Sequence, residues 1–412
     1  MIKQLLIVFL LGFSSGLPMT LVSSTLQAWF AHAGLSVLLT SSLSLISLPY
    51  LYRFLWSPLL DRYYLSSFGK RRSWMLSMQI LLALGFHGMT WFSPNTSPML
   101  MAGLALFLAI CSATQDASID AHRTEYLPKT LYGLGASIAV LGYRLAMLLG
   151  GGVALILAEY YGWIITYRVM SLLMLIGMFA TYWSPEPSKP HVANKVLADF
   201  IDPIRDLLSR PYMMSFAIFI LLFKFGEAFT TSTSGIIMPF LLQGLGFSLA
   251  TIGYVNKIWG VVAIIIGGLI GGLILMRWAL YRVLLVFGLL QAITNMIFIA
   301  LASSEHNLSL LILAVISDNF AAGMGTTAIV ALLMRFVDQR FTATQFSILV
   351  GIAGLPRVFS GPIGAVLQAH FGWVGLYSIS SILALGFIPF LYRLRHETCF
   401  QMEKHSNNQS SP

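Results

Sequence analysis

The sequence predicts an all-α membrane protein that crosses the bilayer twelve times. Its composition is the first observation: 57% of the 412 residues are hydrophobic, only 9% are charged, and the mean hydropathy is +0.81. A soluble domain carries roughly 25% charged residues to cover its surface, so this composition excludes a soluble protein. The second observation is that apolar runs of about 20 residues, the length of a bilayer-spanning helix, follow one another along the chain.

The predicted spans form two groups of six. The first group comprises residues 4–30, 40–60, 74–92, 100–121, 134–158 and 164–183. The second comprises residues 212–242, 249–276, 283–302, 308–336, 346–369 and 374–392. We therefore divide the chain into an N-terminal half (1–183), a linker (184–210), a C-terminal half (211–393) and a tail (394–412). The first run is too long for the core of a signal peptide, so we expect it to remain as the first span.

The basic residues indicate how the chain is threaded. One set of loops between the spans is rich in lysine and arginine, whereas the other set, which includes residues 31–36, 93–98, 243–248 and 303–307, contains neither. Because short basic loops stay in the cytoplasm, both termini are predicted to be cytoplasmic. The formal net charge of +9 therefore reports topology, and since the charges do not cluster on one folded face we expect no nucleic-acid partner.

Short motifs repeat about half a chain apart. AGLS at 33–36 matches LGFS at 245–248, GYR at 142–144 matches LPR at 355–357, and AEYYGW at 158–163 matches QAHFGW at 368–373. Such repeats are expected when two six-helix halves are related by an axis along the membrane normal. Together with twelve spans, a basic linker and cytoplasmic ends, they are typical of the major facilitator fold.

The loop between the second and third spans contains a candidate cytoplasmic gate. SPLLDR at 57–62 and GKRR at 69–72 resemble the loop signature of facilitators, although a serine replaces the usual first glycine and about six residues are inserted. The resemblance implies that Asp61, Arg62 and Arg71 help to latch the two halves together. Arg123 and Glu125, near the end of the fourth span, are expected to pair with this loop. The alternative is that the basic residues serve only topology.

Charged residues within the spans are the strongest pointers to function. A charge at mid-helix costs roughly 2.5 to 3.5 kcal/mol to insert, so these side chains must face one another or a wet cavity. The eight that we single out are Asp116, Asp120, Arg144, Lys224, Glu227, Lys257, Asp318 and Arg357. Helical spacing puts Asp116 and Asp120 on one face and allows Lys224 to pair with Glu227 within its own helix.

Each of these groups has a functional and a structural interpretation. Arg144 and Arg357 could form two pseudo-symmetric anion clamps, since a guanidinium stays charged and can hold a carboxylate or phosphate through two hydrogen bonds, or each could neutralise a neighbouring acid. The four acids, Asp116, Asp120, Glu227 and Asp318, are candidate proton carriers or permanently ionised partners in salt bridges.

Signatures of enzymes are missing from the sequence. It has no glycine-rich phosphate loop, no paired histidines with an intervening glutamate and no nucleophile elbow. The two cysteines, Cys111 and Cys399, lack the spacing of metal ligands or of a disulfide framework. We therefore expect no catalytic residue, no cofactor and no metal, and energy supplied by an ion gradient.

Seven motifs, in order along the chain, resemble the AmpG-type muropeptide permeases. They are GFSSGLP at 12–18, SATQD at 112–116, DAHRTE at 120–125, LGYR at 141–144, VNK at 255–257, GMGT at 323–326 and TATQ at 342–345. The resemblance implies proton-coupled import of anhydro-muropeptides (GlcNAc-anhydroMurNAc and its peptides) from periplasm to cytoplasm, for peptidoglycan recycling upstream of β-lactamase induction. It also implies a multi-pass protein of the bacterial inner membrane whose partners are a small-molecule muropeptide, protons and lipid, and which we expect to be a monomer.

The polar residues within the spans suit such a cargo. A muropeptide needs cations for its carboxylates, and amides and aromatics for its sugars. The candidate substrate-binding residues are Gln115, Tyr143, Arg144, Lys224, Asn256, Lys257, Asn319 and Arg357. His122 and Glu227 depart from the residues usual in the family, which leaves another bulky anion, such as acetyl-coenzyme A or a different wall or sugar-peptide fragment, as the alternative cargo. A membrane enzyme or a non-transporting sensor would be a different class, but a sensor needs a soluble module longer than the linker or the tail.

Overall fold

The computed structural model describes residues 2–56, 60, 68–128, 132–186, 198–231, 234–275, 277–337 and 342–395. Within these ranges the backbone forms helices and turns and no strand, which confirms the prediction of an all-α protein. Asp61 and Arg62 lie outside the described residues, as do residues 187–197 of the linker and residues 396–412 of the tail.

Residues 2–183, here called the N-terminal bundle, contain eight described helices. They are α1 (Ile2–Thr20), α2 (Leu26–His32), α3 (Val37–Ser42), α4 (Leu48–Tyr52), α5 (Lys70–Met89), α6 (Pro98–Tyr126), α7 (Tyr132–Met147) and α8 (Ala154–Trp183). Wide π turns at Leu21–Thr25 and Leu148–Val153 join α1 to α2 and α7 to α8, and a 3₁₀ segment at Leu43–Ser47 joins α3 to α4. The chain therefore stays helical through these joints, as the long apolar runs predict.

A short helix, α9 (Ala198–Ser209), precedes residues 213–394, here called the C-terminal bundle. The described helices of this bundle are α10 (Met213–Ala228), α11 (Ile237–Pro239), α12 (Leu249–Ile252), α13 (Gly260–Leu275), α14 (Leu280–Ser303), α15 (Leu308–Phe336), α16 (Thr342–Leu383) and α17 (Ile388–Leu394). Further π turns follow α11 at Phe240–Gly244 and join α12 to α13 at Gly253–Trp259.

Seven helical stretches among the described residues are long and apolar enough to cross a membrane. Two of them, Ile138–Trp183 and Ile348–Leu394, are 46 and 47 residues long. At 1.5 Å per residue each would extend about 70 Å, more than twice the hydrocarbon thickness of about 30 Å. Each is kinked at a glycine with positive φ, Gly162 (79°) and Gly372 (68°), which lie between the two spans that the sequence predicts in each stretch.

The predicted seventh span, residues 212–242, is not one continuous helix. Helix α10 ends at Ala228 and α11 begins only at Ile237. The run TTSTSG at 230–235 lies between them, and hydroxyl side chains compete with the helix for backbone hydrogen bonds. A hydropathy window averages over this short polar run, which is why the prediction of a single helix was wrong here.

The sequence repeat is also a repeat of backbone conformation. Gly34 (φ 78°) and Gly246 (φ 69°) occupy corresponding turns, where a positive φ favours glycine. Two residues later, Ser36 accepts a hydrogen bond from the N–H of Leu39 (3.3 Å), and Ser248 accepts one from the N–H of Thr251 (3.2 Å). Both serines cap the helix that follows, so the matched motifs build matched corners.

Glycines allow two pairs of helices to touch through their backbones. Gly142 of α7 faces the carbonyl of Phe9 on α1, and a Cβ there would lie 2.2 Å from that oxygen. In the C-terminal bundle, Gly323 of α15 faces the carbonyl of Ile264 on α13 at the same 2.2 Å. Small residues at such crossings are the usual means of close packing between membrane helices.

Each bundle contains a cluster of four aromatic rings at corresponding positions. In the N-terminal bundle, Tyr167 lies 5.0 Å from Trp29 and 6.3 Å from Phe86 between ring centroids, and Trp29 stacks on Trp163 at 5.6 Å. In the C-terminal bundle, Tyr377 lies 4.7 Å from Phe240 and 5.3 Å from Phe298, and Phe240 lies 5.1 Å from Trp373. We call these the N-terminal and the C-terminal aromatic cluster.

The bundles are joined by hydrogen bonds at the end that holds Gly34 and Gly246. Gln243 Nε2 donates to the carbonyls of Ala31 (3.0 Å) and Leu35 (2.8 Å). The N–H of Leu249 donates to Glu159 Oε2 at 3.0 Å. We call these contacts the seam, and we call the other end of the molecule, where Arg71, Arg123 and Arg210 lie, the basic end.

Candidate functional site

At the basic end, ion pairs join helices within the N-terminal bundle. Arg71 on α5 holds Glu125 on α6, with Nη2 2.6 Å from Oε1 and Nε 3.2 Å from both carboxylate oxygens. Glu186 accepts hydrogen bonds from the N–H groups of Arg71 (2.8 Å) and Arg72 (3.1 Å) at the start of α5. The predicted gate residue Arg71 therefore contacts Glu125, which the sequence expects to pair with this loop, and this ion pair lies within the N-terminal bundle.

Asp120 belongs to a neighbouring, more exposed network. Arg53 Nη2 lies 3.2 Å from Asp120 Oδ2, and Arg123 Nη2 lies 3.0 Å from Oδ1. The Asp120 side chain is 43% exposed. Two guanidinium groups thus neutralise Asp120, and the predicted gate residue Arg123 pairs with this acid on its own helix.

Asp116 lies one turn deeper on α6 and is buried. Ser15 Oγ on α1 donates to Asp116 Oδ1 at 2.6 Å, and no described residue forms an ion pair with this carboxylate. The charge of Arg53 acts on it from the side of Asp120. Asp116 and Asp120 share a helix face as predicted, but their depth separates a buried acid from an exposed one.

Arg144 and Arg357 approach each other from the two bundles. Their positive charges interact, and the charges of both act on Tyr143. Neither guanidinium forms a hydrogen bond or an ion pair with any residue that the structure describes, so neither neutralises an acid there. Together with Arg53 and Asp116, whose charges also act on Tyr143, these side chains form what we call the central cluster: Arg53, Asp116, Tyr143, Arg144 and Arg357.

The position of the central cluster follows from helix packing. Glycines at 12, 16 and 142 bring α1 and α7 into backbone contact beside Tyr143, and a Cβ at Gly16 would lie 2.5 Å from the Tyr143 carbonyl. The Tyr143 hydroxyl donates to Met19 Sδ on α1. A site with three arginines and one acid has an excess of positive charge, so it can bind an anion with more than one carboxylate or phosphate group.

Two predicted binding residues instead take part in helix packing. Gln115 is fully buried and donates through Nε2 to the carbonyl (2.8 Å) and the hydroxyl (3.2 Å) of Ser14 on α1. Asn319 is also fully buried, donates to the Val315 carbonyl (2.8 Å) and packs against Gly260 on α13. Both amides therefore contribute to contacts within or between helices.

Asn256 and Lys257 lie in the π turn Gly253–Trp259, where the bundles meet. The Lys257 stem crosses Gly151 of the N-terminal bundle, which has no side chain to obstruct it. Asn256 is fully buried, and neither atom of its amide has a hydrogen-bond partner among the described residues. Buried amides are normally hydrogen-bonded, so the unpartnered amide of Asn256 keeps this residue a candidate for binding a polar group.

Lys224 and Glu227 pair within α10, as their spacing predicts. Lys224 Nζ lies 2.8 Å from Glu227 Oε1 and also donates to Thr326 Oγ1 on α15 at 2.9 Å. Both side chains are largely buried. The positive charge of Lys224 is therefore already matched inside the C-terminal bundle.

Asp318 on α15 lies apart from the central cluster. It is fully buried and accepts hydrogen bonds from Thr230 Oγ1 (2.8 Å), Gln291 Nε2 (2.6 Å) and Thr294 Oγ1 (3.4 Å). No lysine, arginine or histidine among the described residues pairs with it. Asp116 and Asp318 thus both have only neutral hydrogen-bond donors among the described residues, but the charge of Arg53 acts on Asp116, whereas only the acid Glu227 acts on Asp318 in this way.

Sequence reasoning missed Arg53 and Ser15. Arg53 lies inside the predicted span 40–60, so the test applied to the other spans, a charge within an apolar run, would have found it. Ser15 lies in the GFSSGLP motif, and serine in an apolar helix has no distinctive signal. Its role depends on the crossing of α1 and α6, which spacing along one helix does not reveal.

Comparison with known proteins identifies the family. The model of the Major Facilitator Superfamily matches residues 5–226 and 220–400. The anhydromuropeptide permease of Escherichia coli is 41% identical over 382 residues, which cover 92% of this chain and 77% of the relative. Putative transporter AmpG 4 of Rickettsia conorii is 28% identical over 391 residues, 92% of this chain and 93% of the relative.

Solved structures resemble the fold at much lower identity. The nucleoside transporter NupG matches with a TM-score of 0.72 at 13% sequence identity, covering 94% of this chain and 99% of the other. At this identity the match describes the arrangement of helices alone.

Proposed function

This chain belongs to the Major Facilitator Superfamily, so it is a multi-pass membrane transporter and not an enzyme, and we propose that it imports anhydro-muropeptides together with protons. The cargo would be GlcNAc-anhydroMurNAc and its peptides, taken from periplasm to cytoplasm for peptidoglycan recycling and upstream of β-lactamase induction. The observation that carries the proposal is the 41% identity with the anhydromuropeptide permease over 92% of the chain.

The central cluster supports an anionic cargo. Arg144 and Arg357 come from different bundles and have no acidic partner among the described residues, so a carboxylate between them would gain charge-assisted hydrogen bonds from both. A stem peptide supplies such carboxylates. Tyr143 can stack on a sugar ring at the same place, and Asn256 with Lys257 offers further polar groups at the interface. We retain Gln115, Lys224 and Asn319 as weaker candidates, because each is already hydrogen-bonded within its bundle.

We place the protein in the bacterial inner membrane as a monomer, with twelve spans, two six-helix halves (1–183 and 211–393) and both termini in the cytoplasm. The two kinked stretches, each long enough for two spans, support this count. The matched corners at Gly34 and Gly246 support the two-fold repeat. The basic end is then cytoplasmic, and the seam closes the periplasmic side.

Proton coupling follows from the charge of the cargo. Moving an anion into a cell with a negative interior opposes the potential by about 2.3 kcal/mol per charge per 100 mV. Protons carried with the anion offset that term. The acids that could carry them are Asp116, Asp120, Glu227 and Asp318, while Asp61, Arg62, Arg71, Arg123 and Glu125 would control the cytoplasmic entrance.

The test is uptake of radiolabelled anhydro-muropeptide into cells that lack their own permease and express this chain. We expect accumulation that a protonophore abolishes, and none in cells carrying the empty vector. If the protein reaches the membrane and no label accumulates, the cargo is a different bulky anion and the proposal is wrong. Accumulation that survives the protonophore would contradict proton coupling and leave the cargo assignment standing.

A further inference from the structure

Asp318 is a buried carboxylate that lacks a positive partner in the described structure. None of its surface is exposed, and the hydrogen bonds it accepts come only from Thr230, Gln291 and Thr294. A buried charge is costly unless it is paired or bound to a cation. If the Asp318 carboxyl group is ionised, no described basic side chain therefore balances its negative charge.

The hydrogen bonds to Asp318 are unevenly divided between its two oxygens. All three donors reach Oδ1, at 2.8, 2.6 and 3.4 Å, while Oδ2 has no partner among the described residues. This division is expected of a carboxyl group that holds a cation on Oδ2, since a proton or a metal ion at that oxygen excludes further donors.

Two other buried atoms without a hydrogen-bond partner belong to side chains around Asp318. They are Gln291 Oε1 and Tyr377 Oη, and their residues are 5% and 0% exposed. Tyr377 lies close enough to interact electrostatically with Asp318. Carboxylate, amide and hydroxyl oxygens together form the kind of oxygen-rich site that hard cations prefer, and they equally accept a proton.

Hydrogen bonds connect Asp318 to the break between α10 and α11. Thr230, which donates to Asp318, lies in that break, and its hydroxyl also donates to Asn295 Oδ1 at 3.2 Å. Asn295 Nδ2 in turn donates at 2.7 Å to the carbonyl of Gly226, near the end of α10. Interrupted helices form coupling-ion sites in other secondary transporters, because their free backbone groups can follow the state of the ion.

The described charged groups near Asp318 do not neutralise its carboxylate. On α10, the charge of Glu227 acts on Asp318, but Glu227 is paired with Lys224. Helix α14 presents Gln291, Thr294 and Asn295, and α16 presents Tyr377, all of them neutral groups. On the face of α15 that packs against α13, the neighbouring Asn319 meets Gly260, and Lys257 lies in the π turn before that helix.

We propose that Asp318 is the carboxylate at which this transporter binds its coupling ion, a single monovalent cation, and that Thr230 transmits the occupancy to the break in the helix. The cation is a proton or Na⁺, taken up and released at Oδ2. The inference rests on the proposed function in assuming that uptake is driven uphill. It narrows the four candidate acids to one, since Asp120 and Glu227 are in ion pairs and Asp116 lies beside the central arginines.

The test uses the full chain in liposomes and measures two activities. Exchange of labelled anhydro-muropeptide without a gradient reports binding and movement of the cargo, and accumulation under an imposed gradient reports coupling. We expect Asp318→Asn to exchange cargo at close to the wild-type rate and to accumulate none. Glu305→Gln, which removes an exposed acid from a loop at the seam end, is the matched control and should do both.

Separate gradients distinguish the two ions. Accumulation by the wild type under a pH gradient alone identifies the proton, and accumulation under a Na⁺ gradient alone identifies Na⁺. Accumulation by Asp318→Asn at the wild-type level under the effective gradient overturns the inference. Thr230→Val should exchange cargo but accumulate less, and unchanged accumulation would overturn the role of Thr230.

A third measurement separates this inference from the proposed function. If the wild type does not exchange anhydro-muropeptide, the proposed cargo is wrong, and the ion site is then tested by the dependence of Tm on pH and on Na⁺ at constant ionic strength. We expect one of these dependences in the wild type and its loss in Asp318→Asn, while the same dependence in both overturns the inference. If Asp318→Asn does not fold, the same measurement is made on Tyr377→Phe. The midpoint of the dependence of Tm should then shift from the wild-type value by about half a pH unit, or by about threefold in Na⁺ concentration, as expected for the loss of one hydrogen bond. An unchanged midpoint would overturn the inference.

Discussion

Tyr167 and Tyr377 occupy corresponding places in the two aromatic clusters, but their hydroxyls differ in use. The Tyr167 hydroxyl donates to the carbonyl of Leu21 at 2.9 Å. The Tyr377 hydroxyl has no partner in the described part of the chain and lies within electrostatic range of Asp318. The tyrosine hydroxyl of the N-terminal aromatic cluster therefore makes a structural hydrogen bond, whereas that of the C-terminal aromatic cluster is available for an ion site.

Asp318 of the C-terminal bundle also differs from Asp116 and Asp120 of the N-terminal bundle. The charge of Arg53 acts on Asp116, and Asp120 forms ion pairs with Arg53 and Arg123. Asp318 is surrounded by neutral donors and an unused tyrosine hydroxyl. We infer that the anionic cargo binds between the two bundles and that the coupling cation binds inside the C-terminal bundle.

The largest effect is expected from the pair of arginines that the bundles share. Arg144→Ala or Arg357→Ala should each lower uptake about 100-fold or more, because a charge-assisted, two-point contact contributes roughly 3 kcal/mol to binding of a carboxylate. The measurement is initial uptake at equal amounts of protein in the membrane. Arg393→Ala, at an exposed position, is the control. Uptake at the wild-type rate by both alanine variants would show that Arg144 and Arg357 do not form an anion clamp.

The second-largest effect is expected from substitutions at the two glycine crossings, where pairs of helices touch through their backbones. Gly142→Ala and Gly323→Ala should each lower the free energy of unfolding by about 1–3 kcal/mol, because the new methyl group meets a backbone carbonyl in either bundle. Gly103→Ala, where nothing lies within 4 Å, should instead raise it by about 0.5–1 kcal/mol. The Tm in detergent measures all three. If Gly142→Ala or Gly323→Ala is as stable as Gly103→Ala, the bundle that contains that glycine adjusts its packing to the new methyl group.

A smaller effect should distinguish the two tyrosines directly. Tyr167→Phe should cost about 1 kcal/mol of stability, because it removes a buried hydrogen bond to the Leu21 carbonyl. Tyr377→Phe, measured under conditions in which the proposed ion site is empty, should change stability by less than about 0.5 kcal/mol, since its hydroxyl has no partner to lose in the described structure. Unfolding of both variants in parallel provides the measurement. Equal losses of stability would contradict the difference between the clusters.

The smallest effect is expected at the seam. Gln243→Ala and Glu159→Gln each weaken contacts to backbone groups at a rim, which are worth about 0.5–1.5 kcal/mol per hydrogen bond. The seam should open more often in both variants. The rate at which a membrane-impermeant maleimide labels Leu35→Cys measures that opening, and a rate unchanged from the parent would exclude a role for these bonds in closure.

Much of the fold was predictable because apolar length and charge placement are properties of single segments. The repeated motifs gave matched corners at Gly34 and Gly246 and matched kinks at Gly162 and Gly372. The pairing of Lys224 with Glu227 followed from helical spacing alone. The break in the seventh span was not predictable in this way, because a hydropathy window of about 20 residues averages out the five hydroxyl residues and the glycine at 230–235.

The site was predictable in its residue types and not in its partners. Charge within a span identified Asp116, Arg144 and Arg357, and the same criterion would have identified Arg53. That Asp116 meets Ser15, and Asp318 meets Thr230, depends on how different helices cross, which the periodicity of one helix does not contain. The amide of Gln115 illustrates the same dependence, since its hydrogen bonds to Ser14 form only where α6 crosses α1.

The chemistry of the seam has a consequence for reading families of related sequences. Gln243 bonds to the main-chain carbonyls of Ala31 and Leu35, and Glu159 bonds to the main-chain N–H of Leu249. The residues at positions 31, 35 and 249 can therefore drift without breaking these bonds, and no compensating substitution across the seam is required. Methods that infer contacts from correlated substitutions should find little signal here, although the two bundles touch.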